Sequence, residues 1–569
     1  MMKFKCSDPF AIVDDFECIP FCVLIISLVV FGISTALAQE TRPYDLGGAS
    51  QPKPMKSLTK KEGQYKRVHQ TALRLILQGK TEKVQKFLEQ YLANHPGDAE
   101  TLYMLGICHG QKSEIDIAEG YLQKAVDAGL PPGRLVAGPR SMLEPMRETE
   151  LVKRLFNQFK TELIHGPMLG NLTDGSCSIW GRTSFESKVE ILIFDQESNQ
   201  EIARSLPVQS TAKNDFTFVA QVNGLMPDKA YSYAVVIDGQ KSGFHGQFKT
   251  FRPRSQAAQF SFAFGGGAGY VPQNERMWNT IAESNPDAIL LLGDNVYIDD
   301  PESVVMQQYT YQRRQSRPEW RSLTSKKPVF TIWDDHDFST NDSRGGPDID
   351  IPFWKKDYVY PIFRQNWANP GYGSGNKQPG CWYQFSIGQV DFIMLDCRYY
   401  RTNPKTKNPS MLGPVQLAWL KKELAESTGK FKVLCSSVPW DFRTKGGSLD
   451  TWNGYQKERE QIFKFIEDQK IEGVILVSAD RHRSDCWKIA RPKGYDFFEF
   501  NSSRLTNQHI HPTMDEKGAI FSFNDPQSFG LVTFDTTLDD PTVKYEVVDI
   551  NGQRPHEITI QFSQLKLAN

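Results

Sequence analysis

Acidic and imidazole side chains follow short apolar runs at four places in the chain. "LLLGDNVYIDD" carries Asp294, Asn295 and Tyr297, and "TIWDDHDFSTND" carries Asp334, Asp335, His336 and Asp337. "FIMLDCRYYR" adds Asp396, Arg398 and Arg401, and "ILVSADRH" adds Asp480 and His482. Carboxylates gathered in one place repel each other, and a shared cation is the usual remedy. Oxygen donors suit hard ions such as Ca²⁺, Mg²⁺ or Mn²⁺, whereas imidazole and phenolate suit iron or zinc. Each motif alone has a bland reading: a Gly-Asp after a strand is often a turn or a helix cap. Their order, each directly after an apolar run, argues for a metal site.

The elements that must position these groups are legible from the apolar runs. From about Gln259 to Ile550, "FSFAFG", "AILLLG", "PVFTIWD", "VDFIMLD", "KVLCSSV" and "GVILVSAD" read as buried strands interleaved with helices. In open α/β sheets chemistry collects beyond the carboxyl ends of strands, where these acidic groups stand. Upstream, over 160–252, alternating segments such as "KVEILIFD" and "DFTFVAQVNGL" predict a small β-sandwich without chemistry of its own. Over 60–150 apolar residues recur at helical spacing. The second half of that stretch resembles a tetratricopeptide repeat, with Leu102, Leu105 and Gly106 on one helix and Ala118, Leu122 and Ala125 on the next. His109 stands where an aromatic is usual. A surface for a protein partner and a helical spacer or cap on the next domain both fit this segment.

Charge is balanced, with 66 basic and 67 acidic residues, which leaves no electrostatic footprint for nucleic acid. Aromatics at 12% exclude a disordered chain. The apolar run from Ile19 closes on Ala36-Leu37-Ala38, which reads as a signal peptide over 1–38 followed by a flexible linker over 39–59. A secreted, periplasmic or cell-envelope protein follows. Membrane contact follows only if the leader stays uncleaved, an alternative that Asp14, Asp15 and Glu17 ahead of the run keep open. Beyond the leader, Cys108, Cys177, Cys381, Cys397, Cys435 and Cys486 form no C-x-x-C pair; disulfides and buried small apolar residues are both open.

The ordered motifs resemble those of PhoD-type alkaline phosphatases/phosphodiesterases, a branch of the calcineurin-like metallophosphoesterases. "GDNVY" is similar to that family's Gly-Asp-x-x-Tyr, "WDDHD" to its Trp-Asp-Asp-His-Glu, and "LDCRYYR" to its Leu-Asp-x-Arg-x-Tyr-Arg. "DTWNGYQKER" and "SADRH" resemble its two remaining signatures, and the likeness spans about Gly166 to Ile550. The fold it implies is multidomain: an α-helical repeat segment, a small β-sandwich, then an α/β metallophosphatase sandwich over 258–555. The function it implies is hydrolysis of a phosphate ester by metal-bound hydroxide, with two metal ions. These are iron and calcium by resemblance, with Mn²⁺, Mg²⁺ and Zn²⁺ as other candidates.

The resemblance implies roles residue by residue. Asp294 bridges the two ions, Tyr297 and His482 hold the ferric one, and Asp335 and Asp480 hold the second. Carboxylates in place of the usual Asn and His harden that second site toward Ca²⁺. His336 faces the substrate and Arg398 clamps its phosphate, with Asp334, Asn295 and Arg401 in support. "DTWNGYQKER" and "TNQHIHP" read as a packed loop and a surface loop.

One departure stands out. "FAFGGGAGY" ends the first strand, where the family commonly supplies a Cys ligand, yet this chain has Gly265, Gly266, Gly267, Ala268 and Gly269. The spacing matches neither a dinucleotide fingerprint nor a P-loop. The gap is expected to be filled by water or by a side chain such as Asn274. It also keeps a second function open, a degenerate enzyme that serves as a scaffold through its helical segment.

Overall fold

The computed structural model describes residues 64–346 and 351–567. The leader and linker expected over 1–59 lie outside the described residues. Among those described, no helix is long and apolar enough to cross a membrane.

Two sheets packed face to face carry the site. In the first, strands Gln259–Gly265, Ala288–Leu292 and Val329–Ile332 run parallel, with Phe262 beside Ala288 and Ile289 beside Val329. Ser528–Asp535, Thr542–Asp549 and His556–Gln561 extend it antiparallel, so the sheet runs past the expected boundary at 555. In the second, Val390–Met394, Phe431–Cys435, Val474–Ser478 and Phe497–Ser502 are parallel. These strands are near-continuous runs of apolar residues because both faces are covered. Aromatic side chains join the two sheets. Phe262 meets Phe392 with ring centroids 5.2 Å apart, Phe330 stacks on Phe385 at 3.8 Å, and Phe431 meets Phe534 at 4.9 Å.

The β-sandwich expected over 160–252 is not a separate body. Its strand His165–Gly170 pairs in parallel with Val329–Ile332 through Gly170 and Val329. Ser176–Arg182 and Thr217–Asn223 follow, completing a nine-stranded sheet. A bare edge at Val329–Ile332 would present unpaired backbone groups, and this pairing covers it. The remaining strands, among them Lys188–Asp195 and Ala230–Ile237, form a five-stranded sheet of their own.

Helices Tyr65–Leu77, Thr81–Asn94, Ala99–Gln111 and Ile115–Asp127 precede the sheets. The third begins at Asp98, whose carboxylate accepts the Thr101 N–H at 2.8 Å. Gly106 lets the third and fourth approach: a Cβ there would stand 2.6 Å from Leu122 Cδ2. The third helix is buried on nearly every side, among the other helices and the short helices over 134–146, with Met306 and Tyr309 in the same apolar cluster. Glu100 on it pairs with Arg134 at 2.9 Å and accepts the Tyr309 hydroxyl at 2.6 Å. The segment is thus docked on the part of the chain that follows it.

Truncating Phe392 to Ala is expected to cost about 3–5 kcal/mol, because its ring fills the space between the sheets. Denaturant unfolding checks this; a loss under about 1 kcal/mol would place the core elsewhere.

Candidate metal centre

The loops that end the strands are held in unusual backbone geometry. Gly293 has φ 103°, and a Cβ on it would meet Asp334 Cβ at 2.4 Å, so only glycine admits the neighbouring loop. Asp294, Tyr297, Asp299, Asp480 and His482 all have positive φ, at 54°, 57°, 55°, 68° and 50°. Each such non-glycine residue costs about 1–3 kcal/mol, and such residues cluster at functional sites. Asp337 fastens the first two loops together. Its carboxylate accepts the N–H groups of Asn295 and Val296, both at 2.9 Å, and forms a capping box with Asp334 on the short helix Asp335–Phe338. Asn295 braces the same junction by donating to Ile332 O at 2.8 Å.

Asp294, Asp335 and His336 come together at this rim. All are buried, and a ligand atom of each lies within 4.8 Å of the others. Asp335, Asp342 and Asp450 form a second acidic group adjoining the first. Burial pushes the Asp294 carboxyl well above the usual range, and it carries Asp334 and Asp342 up to about 7. Asp335 is held low against its own burial by His336 and Arg398. The His336 Nδ1 lies 2.5 Å from Asp299 Oδ1. Burial opposes its charge, but Asp299, Asp335 and Asp294 raise it to about 9. Two closely spaced carboxylates, costly to leave uncompensated, are a donor set that fits a divalent cation, with the charged His336 beside them.

The Tyr297 side of Asp294 does not fit an ion in the same way. Tyr297 Oη accepts from Asn507 Nδ2 at 2.7 Å, and His482 Nδ1 lies 3.3 Å from that amide nitrogen. The Lys66 amine stands 3.3 Å above the Tyr297 ring and 3.2 Å from Asn507 Oδ1. Burial and then Arg67 pull that amine down to about 7, while Asp299, Asp294 and Asp335 hold it up. Tyr297 keeps its proton, since burial and Asp294 push the phenol well above its ordinary value.

Several residues stand elsewhere than the sequence suggests. Asp480 pairs with Lys445 at 3.0 Å, and Lys445 also reaches Asp450 at 3.1 Å. Arg398 is fully buried: Nε donates to Asp334 at 2.6 Å, and Nη1 donates to Asp450 at 2.8 Å and to Ser343 O at 3.0 Å. This is a support for carboxylates and not the expected phosphate clamp, because no face of the guanidinium reaches solvent. Arg401 likewise bonds Asp450 at 2.9 Å and Tyr455 Oη at 2.9 Å. Asn274 donates to Thr506 O at 2.9 Å and does not fill the place beside the glycine loop. Among the described residues the six cysteines are buried and unbridged, as small apolar residues would be.

Lys66, Asp342, Lys445, Asp450 and Asn507 are the participants that sequence reasoning missed. Asp342 lies inside the quoted "DDHDFSTND", and Asp450 opens "DTWNGYQKER", whose Trp452 does pack as expected, stacked on Trp440 at 4.5 Å. Asn507 belongs to "TNQHIHP", of which Gln508, His509 and Ile510 are exposed while His511 is half-buried with its ring 5.5 Å from that of His482. Lys66 has no local signal, being 441 residues from its partner Asn507. Replacing Arg398 by Met is expected to cost about 3–5 kcal/mol, because Asp334 and Asp450 lose their shared counter-charge. Unfolding and kinetics together check this; a fully stable variant with only a raised KM would return Arg398 to the phosphate.

Residues 262–545 match the family model described as PhoD-like phosphatase, and residues 160–254 match one described as a domain of unknown function (DUF7800). Alkaline phosphatase D of Bacillus subtilis (strain 168) is 24% identical over 308 residues, which cover 46% of this chain and 53% of that protein. The chain thus spans about half the length of this curated relative. A solved structure of PhoD superposes with TM-score 0.58 at 17% identity, covering 69% of this chain and 88% of that one. A purple acid phosphatase from yellow lupin (Lupinus luteus) seeds gives TM-score 0.52 at 12% identity, covering 70% and 75%. At these identities the structural likeness is one of fold. Ordered motifs, a two-sheet sandwich and a family match that coincide on the same residues place the 262–545 region in the PhoD-like phosphatase family.

Proposed function

We propose that this protein is a metal-dependent phosphoric ester hydrolase of the alkaline phosphatase/phosphodiesterase type. The observation that carries this reading is the convergence of Asp294 from one strand end with Asp335 and His336 from another, within residues that match the PhoD-like family. The carboxylates favour Ca²⁺, Mg²⁺ or Mn²⁺, with iron and zinc as the other candidates. When bound, such an ion polarises the phosphoryl oxygens and lowers the pKa of water.

The chain's own residues do the remaining work. His336 is cationic at neutral pH and tied at Nδ1 to Asp299, which leaves Nε2 to protonate the leaving oxygen. Arg398 and Arg401 hold Asp334 and Asp450 in place, and Lys445 balances Asp450 and Asp480. The substrate is a phosphate ester met outside the cytoplasm, following the leader read over 1–38. The helical segment, with its repeat-like spacing, supplies the candidate surface for a protein partner. A scaffold role in place of catalysis is favoured by one observation, the glycine loop where a first-strand ligand is usual.

Protein loaded in turn with Ca²⁺, Mn²⁺, Zn²⁺ and iron is expected to release phosphate or alcohol from a panel of mono- and diesters, and to lose that activity to a chelator. No turnover with any ion favours the scaffold. Asp294→Asn is expected to lose both bound metal and activity, as metal analysis and the same panel would show. His336→Ala is expected to keep its metal and lose about a hundred- to ten-thousand-fold in kcat.

A further inference from the structure

The first helix is fastened to the site along its length. Arg67 pairs with Asp299 at 3.0 Å, Gln70 donates to Tyr297 O, and Arg74 pairs with Asp300 at 2.8 Å. At its start the Tyr65 N–H donates to Gln508 at 3.2 Å. Helix Tyr65–Leu77 therefore grips the 294–300 loop on one side and the 507–508 loop on the other. Lys66 lies between these grips, 4% exposed, with its amine over the Tyr297 ring.

The glycine loop is shaped around this side chain. A Cβ on Gly269 would stand 3.0 Å from Lys66 Cδ and 2.9 Å from Asn507 Cγ. A Cβ on Gly267, at φ 67°, would meet Arg504 N at 2.9 Å, and one on Gly266 would meet Gly293 O at 2.9 Å. A ligand-bearing side chain at Gly266 or Gly267 would therefore have to move backbone. On the Gly269 side of the loop the space is taken by the Lys66 stem and the Asn507 amide. That amide also engages both Tyr297 and His482, the two groups that would otherwise share the ion.

We propose that the Lys66 side chain stands in the position of the first of the two metal ions, so that the protein holds a single ion, at the carboxylates of Asp294 and Asp335. Lys66 is on this view a positioning residue: it packs on Tyr297 and adjoins Asp294 without reaching the substrate. The proposal rests on the metallophosphoesterase reading for its consequence in catalysis, but metal counting tests it without turnover.

The full-length protein is saturated with Fe³⁺ and, separately, with Mn²⁺, Zn²⁺ or Ca²⁺, freed of loose ions, and assayed for metal per chain and for visible absorption. The expected result is one ion per chain and no tyrosinate-to-iron band. Lys66→Glu, which places a carboxylate beside Tyr297 and His482, is expected to take up a second ion and, with iron, to gain a band that Tyr297→Phe removes. Two ions in the wild type, or a wild-type band lost in Tyr297→Phe, would overturn the proposal, as would a folded Lys66→Glu that still holds one. An ester panel run alongside separates the two readings. Turnover with two ions per chain keeps the phosphoesterase and ends this proposal; one ion without turnover keeps this proposal and ends the phosphoesterase.

Discussion

Buried carboxylates at the shared rim of two sheets impose the constraint around which the rest is arranged. Asp294, Asp334, Asp335, Asp337 and Asp450 are each almost fully out of solvent. Two like charges 4 Å apart repel by about 4 kcal/mol at the effective dielectric of such a site, so the group cannot stand ionised without positive charge. The chain answers partly with its own cations. Arg398 lies between Asp334 and Asp450, Lys445 between Asp450 and Asp480, and His336 is charged by Asp299. The carboxylates that remain uncompensated, above all Asp294, are where an added cation has most to offset.

That constraint explains why parts that look independent are joined. A site of this kind must be dry and rigid, and the strand-end loops store backbone strain that only surrounding structure can hold. The sandwich strands close the open edge of the first sheet at Val329–Ile332. The helical segment closes the site from the other side, with ion pairs from Arg67 and Arg74 to Asp299 and Asp300. Asp299 thereby receives Arg67 while it orients His336, so the N-terminal helix and the proposed proton donor share one carboxylate.

Much of the catalytic fold was legible because its strands are buried on both faces. Runs such as "AILLL" and "VILVS" admit few alternatives to a central parallel strand, and the acids that follow mark the carboxyl ends. Asp294, Asp335 and His336 were readable for that reason: each sits beside its strand in sequence. The supporting cations were harder to assign. Arg398 carries a motif that suggests phosphate recognition, and only its neighbours reveal that its guanidinium is already spent on Asp334 and Asp450. The sandwich boundary was visible as a change to alternating pattern, but alternation does not say whether a strand pairs within its own sheet or continues another.

The sequence by itself determined which segments are buried strands, the placement of acidic and imidazole groups after apolar runs, and the loss of a first-strand ligand at Gly265–Gly269. These are local properties, set by side-chain periodicity and by which residue follows which. Tertiary structure alone decided what replaces that ligand. The glycines leave room for Lys66, whose stem arrives from a helix far upstream, and for Asn507, which arrives from far downstream. Such a meeting depends on how helix and sheet dock, and docking is fixed by contacts between residues that no spacing in the sequence relates.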